Sequence, residues 1–160
     1  MQQQAQTDQD LEEQASKFSL RELQERETPI KISELKPQMK NLDLKVIVLT
    51  KDVPKELKNK EVLNQCLVAD STGKINCNFY GEVGDKIKPG DIIFLMNAYT
   101  SIYKDHMVLY QSARGGVYRI RDFYYIFNNS GPNMSEPTYI REIDQNGRER
   151  YVIKNQQNKQ

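Results

Sequence analysis

KINCNFYGEVGDKIKPGDIIFLMNAYTSIYKDHMVLYQ, residues 74–111, is the stretch that decides the fold. Lys74–Tyr80 reads as a strand. GEVGDKIKPG (81–90) then breaks the pattern with three glycines and a proline, leaving room for one helical turn around Val83–Ile87. Asp91–Thr100 is a further strand, Tyr103-Lys104-Asp105-His106 a turn, and Met107–Gln111 the strand after it. In that last strand Met107 and Leu109 alternate with Val108 and Tyr110, so Tyr110 points away from the Leu109 face.

Upstream, Leu42, Leu44, Val46 and Val48 alternate with Asp43, Lys45, Ile47 and Leu49, giving a first strand with one strongly apolar face. DVPKELKNK (52–60) is polar and carries Pro54, so it reads as an exposed loop. A second strand runs near Glu61–Ala69, and Asp70-Ser71-Thr72-Gly73 supplies turn residues before Lys74. Five strands with a break between the third and fourth predict an all-β fold, a five-stranded Greek-key OB-fold barrel with N-terminal and C-terminal extensions. An SH3-like barrel is the competing architecture. The 81–90 connection, lying where an OB barrel places its helix, favours the former.

The two ends differ from the middle. Residues 1–30 form a Gln-rich acidic arm, disordered or transiently helical, with Leu11, Ala15 and Phe18 at helical spacing. Residues 31–127 form the OB domain, in which VYRIRDFYYIF (117–127) is another strand or a short capping helix. Residues 128–160 are expected to hold an extended partner-binding segment and a C-terminal hairpin or tail. NNSGPNMSEP (128–137) is too rich in Pro, Gly, Asn and Ser for regular structure, while Asn146-Gly147 is a strong hairpin signal. A lone hairpin is marginal in water, so this one would have to dock on something.

Composition narrows the function classes. A formal net charge of +1 does not suit wholesale electrostatic wrapping of duplex nucleic acid. The total hides a polarity, because residues 1–30 carry seven acids against three bases and residues 31–140 carry fifteen bases against twelve acids. No apolar run approaches the roughly 20 residues of a membrane helix, and no membrane partner is expected. MQQQAQTDQD lacks the basic and apolar regions of a signal peptide, so a cytosolic or nuclear location is expected. Cys66 and Cys77 flank the Asp70–Gly73 turn and read as buried thiols. With one His and no CxxC, no zinc site is supported.

Eleven of the fourteen aromatic residues fall between Phe79 and Phe127. Tyr80, Tyr99, Tyr103 and Tyr110 lie in or beside strands whose ends can converge on one concave face. Unpaired bases suit such a surface, because every base offers a π-face. Lys40, Lys104 and Arg114 are the cations placed to reach phosphates. Phe94, Phe123 and Phe127 read as ordinary strand aromatics. His106 is alone in a turn, and no nucleophile elbow, metalloprotease motif or acidic cluster is present. The chain is therefore expected to be no enzyme, with no cofactor and no small-molecule substrate.

Four runs carry a family resemblance: ELKPQMKNLDLKVIVL (34–49), VADSTGKINCNFY (68–80), GDKIKPGDIIFL (84–95) and YTSIYKDHMVLYQSARGG (99–116). From about Ile32 to Pro137 the chain resembles the SOSS-B family, the simple single-OB-fold eukaryotic single-stranded DNA-binding component of the SOSS complex. The resemblance implies an OB barrel that stacks single-stranded DNA on four aromatics, which fall on Tyr80, Tyr99, Tyr103 and Tyr110. It also implies a large helical scaffold subunit of integrator type as partner, met by Asp122, Phe123 and the 128–137 stretch. Two departures stand out: the family commonly has Trp at Tyr80, and one extra residue precedes Arg114. The expected role is single-stranded DNA binding within a nuclear complex for DNA repair and the DNA damage response. The alternatives are an OB-fold protein-interaction module and a single-stranded RNA binder.

Overall fold

The computed structural model describes residues 29–113, 115–120 and 125–154. The expectations for residues 1–28, Arg114, Asp122 and Phe123 lie outside the described residues. The elements in chain order are β1 (Leu42–Lys51), β2 (Lys55–Glu56), β3 (Val62–Ala69), β4 (Lys74–Tyr80), the five-residue helix α1 (Glu82–Lys86), β5 (Ile92–Tyr103), β6 (His106–Tyr110), β7 (Gly116–Ile120), β8 (Tyr139–Ile143) and β9 (Glu149–Ile153). A 3-10 turn at Ile32–Glu34 precedes them.

β1 shows how the pattern becomes a sheet. Its alternation buries Leu42, Leu44, Val46 and Val48 on one side. Its first half, Leu42–Ile47, pairs with β5, and its second half, Ile47–Lys51, pairs with β3. Bulges between Leu42 and Leu44 and between Val48 and Thr50 bend the strand so that it serves both neighbours. The inward side chains of β3, β4, β5 and β6 meet those of β1, with Phe79, Ile75, Leu95, Met107 and Leu109 fully enclosed. Each such side chain contributes roughly 1.5–3 kcal/mol by leaving water.

The expected five-stranded Greek-key barrel is corrected by the strand pairing. The described residues form a mixed, OB-like sheet of seven strands in the order β1-β3-β4-β6-β5-β7, with β2 attached to β3, and a separate two-stranded sheet β8-β9. It is not a closed barrel. β2 and β7 leave open edges, and β4 and β6 run parallel with only Cys77↔Leu109 and Asn78↔Tyr110 in register. β2 lies inside the polar stretch read as a loop, and β7 extends the sheet beyond β5.

The β4–β6 seam is short because another segment occupies it. Lys74 N–H donates to the Pro132 carbonyl at 2.8 Å, and Met134 N–H donates to the Lys74 carbonyl at 2.7 Å. Ser135 Oγ accepts from Asn76 N–H at 2.9 Å and donates to the Met107 carbonyl at 2.6 Å, joining the two strands through one hydroxyl. The irregular 128–137 stretch is thus engaged by the chain's own sheet over 132–135. The hairpin docks next to it. Tyr139 is buried in the main core, its N–H donates to the Asp105 carbonyl at 2.7 Å, and Tyr151 and Ile153 pack against the same core.

The Asp70 turn ties the front of the chain down. Asp70 accepts from Ile32 N–H at 2.8 Å, from Thr72 N–H at 2.7 Å and from the Thr72 hydroxyl at 2.6 Å. Cys66 and Cys77 face each other in register across β3 and β4 as free, buried thiols. Burial pushes Cys66 up to about 11 and Cys77 well above its usual range, so neither thiolate forms near neutrality.

Candidate nucleic-acid interface

Strand alternation sets Asn78 and Tyr80 of β4, Tyr99 and Tyr103 of β5 and Tyr110 of β6 opposite the core-facing residues Cys77, Phe79, Ala98, Thr100 and Leu109. Register then assembles them. Gln65 pairs with Asn78, Asn78 with Tyr110 and Tyr110 with Tyr99, a straight row across β3, β4, β6 and β5. Tyr99 and Tyr110 lie face to face, with ring centroids 5.2 Å apart and planes 11° from parallel.

Tyr80 and Tyr110 carry the electrostatic mark of the neighbouring rings. Burial, then Tyr80, Tyr99 and Tyr103, pushes the Tyr110 hydroxyl up to about 12. Burial also raises Tyr80, followed by Tyr99, while a side-chain hydrogen bond from Asn78 works the other way. The sequence therefore selected four rings that do converge, but their exposures differ. Tyr103 is 55% exposed, Tyr80 and Tyr99 are half-buried, and Tyr110 is only 8% exposed with one face against Tyr99.

Two clefts border this face, and Tyr99 lines both. One, of about 320 Å³, is lined by Glu61, Tyr80, Tyr99, Gln111 and Ala113. The other, of about 240 Å³, is lined by Lys40, Asn41, Asn97, Tyr99 and Ser112. Lys40 reaches the second cleft because Thr100 clamps the loop before it. The Thr100 hydroxyl donates to the Lys36 carbonyl at 2.6 Å and accepts from Met39 N–H at 3.0 Å. Lys104 Nζ sits 5.4 Å from the Tyr103 ring centroid, a cation–π arrangement at the exposed tip of the β5–β6 hairpin. Beside the undescribed Arg114, Gly115 is required for space, since a Cβ there would collide with the Met96 carbonyl oxygen.

Of the ordinary aromatics, Phe94 packs with Met96, Tyr118 and Ile120 in a second small cluster, and Phe127 is 39% exposed. Sequence reasoning missed Glu61, Asn78, Asn97 and Gln111. Asn78 was two residues from Tyr80 and so on its face, which was a usable signal. Asn97 carried none, because its left-handed backbone (φ 54°) marks a local kink in β5 that Asn alone does not announce.

A family model described as single-stranded DNA binding protein Ssb-like, OB fold, matches residues 35–119, more than half of the chain. The chain belongs to this family. Over 82 residues it is 27% identical to the single-stranded DNA binding protein Ssb of Saccharolobus solfataricus, covering 49% of this chain and 55% of that protein. The chain thus spans about half the length of this curated relative. The solution structure of a hypothetical protein from Arabidopsis thaliana superposes with a TM-score of 0.60 at 22% identity, covering 72% of this chain and 89% of that one. That likeness shows the fold. The Ssb-like match takes in every one of the four tyrosines and both described cations, Lys40 and Lys104, and ends before the β8–β9 hairpin. Membership makes the chain an OB-fold binding module of non-catalytic type. Among the described residues no group of three or more His, Cys, Asp and Glu could hold a metal ion, and no helix is long and apolar enough to cross a membrane.

Proposed function

We propose that the chain binds single-stranded DNA by stacking bases on the outward face of β4, β6 and β5, with a few phosphate contacts from Lys40 and Lys104. The observation that carries this reading is the Tyr99–Tyr110 stacked pair, flanked by Tyr80 and by the exposed Tyr103. A ring held flat by another ring is pre-organised to receive a base on its free face. The family match supports DNA as the partner. With Glu61 on one cleft wall and a net charge of +1, stacking rather than charge supplies most of the affinity.

The finer role follows the resemblance of the four sequence runs. The chain acts as a subunit of a SOSS-type complex in the nucleus, in DNA repair and the damage response. Asp122 and Phe123 meet a large helical scaffold of integrator type. A pull-down with Asp122→Ala/Phe123→Ala tests this part, with loss of protein partners and retention of oligonucleotide as the expected result. Retention of the scaffold would count against it.

The binding mode is tested by salt titration on equal-length DNA and RNA strands. The log–log slope for DNA should be shallower than about −4, the value for six phosphate contacts at ~0.7 each. A steeper slope contradicts the stacking account, and tighter binding of RNA shifts the partner to RNA.

A further inference from the structure

Two buried acceptor oxygens beside the tyrosines have no hydrogen-bond partner: Asn78 Oδ1 and Gln111 Oε1. Leaving such a group unpaired is costly, and nearly all buried polar groups find partners. Both oxygens belong to the site. Asn78 is the register partner of Tyr110, Gln111 follows Tyr110 and lines the cleft with Tyr80 and Tyr99, and Gln111 N–H donates to the Asn78 carbonyl at 3.3 Å. The Asn78 side chain also acts on the Tyr80 hydroxyl, while its Oδ1 has no donor. Glu61 lines the same cleft, with Oε2 accepting from Asn59 Nδ2 at 3.1 Å. A carboxylate repels phosphates and only accepts hydrogen bonds, so in a nucleic-acid groove it suits a donor on a base.

We propose that Asn78 Oδ1, Gln111 Oε1 and the Glu61 carboxylate read the exocyclic amine of a stacked base, so that the interface favours cytosine over thymine. This rests on the stacking reading above. Cytosine offers its N4 amine where thymine offers the O4 carbonyl. Against acceptor-only groups, an amine supplies the missing donor and a carbonyl sets oxygen against oxygen. Adenine and guanine also carry amines, and the pyrimidine pair isolates the effect because the two rings are matched in size.

The test is fluorescence anisotropy with labelled oligo(dC) and oligo(dT) of equal length at mildly alkaline pH, where cytosine tracts stay unpaired. Oligo(dC) should bind about fivefold tighter, the ratio expected of one net hydrogen bond. Gln111→Leu should erase most of that preference, with the oligo(dC) affinity falling toward that of oligo(dT). A ligand-side arm avoids any folding defect: replacing cytosine by 2-pyrimidinone, which lacks the amine, should abolish the advantage on the wild-type protein. Equal affinity for the two tracts, tighter oligo(dT), or a preference surviving both Gln111→Leu and amine removal overturns the inference and leaves base stacking standing. Failure to bind either tract overturns the stacking reading and this inference together.

Discussion

Tyr110 stands apart from the other three rings because it is buried beneath Tyr99 while they keep an accessible face. It supports the surface more than it forms it. Its hydroxyl, raised to about 12 by burial and then by Tyr80, Tyr99 and Tyr103, loses its proton later in the folded chain than at the ordinary 10.0. The stability this represents is whole below about pH 10 and is lost as pH rises toward 12, since the unfolded chain ionises first. Denaturation midpoints should fall across that window, and Tyr110→Phe should flatten the fall. The four tyrosines were legible because aromatic rings are uncommon and their strand positions could be counted. Gln111, Asn78 and Glu61 were not, since amides and carboxylates are ordinary surface residues until strand register sets them beside a ring.

The β5–β6 hairpin shows where local chemistry misleads at the level of elements. Lys104 (φ 48°) and Asp105 (φ 69°) both adopt left-handed backbone, a two-residue turn of the kind usually built from Asn-Gly. Without that signature β5 read as ending at Thr100, whereas it continues to Tyr103 and carries the ring out to the tip. Lys104→Asn with Asp105→Gly should raise stability by about 1 kcal/mol by relieving the left-handed strain. The same variant should make the salt slope of oligonucleotide binding shallower by ~0.7, because one phosphate is no longer neutralised. Unfolding curves and salt titrations on one protein check both. β2 escaped notice for a different reason: its two residues are polar, exposed and follow Pro54, with nothing apolar to mark them.

The molecule as a whole is held together by interactions that sequence proximity hides. The strands of β1, β3 and β4 and the helical turn after β4 were readable from alternation and glycine punctuation. The parallel β4–β6 seam was not, because it depends on Ser135 reaching back to Asn76 and Met107 from a stretch with no periodicity. Tyr139 likewise joins the main core from outside the family-matched region. Tyr139→Ala should cost about 3 kcal/mol in chemical denaturation, in a single cooperative transition shared with the sheet. A loss confined to the hairpin would mean that β8 and β9 fold separately. Across the same molecule, the near-neutral charge leaves the tyrosine face as the source of affinity, and that claim has a direct measurement. Titrating a labelled single-stranded DNA with wild type, Tyr99→Ala and Tyr103→Ala should show each variant weakened by about 5- to 150-fold, the range for removal of one stacking ring. Unchanged affinity in both variants, with their folds intact, would contradict the account.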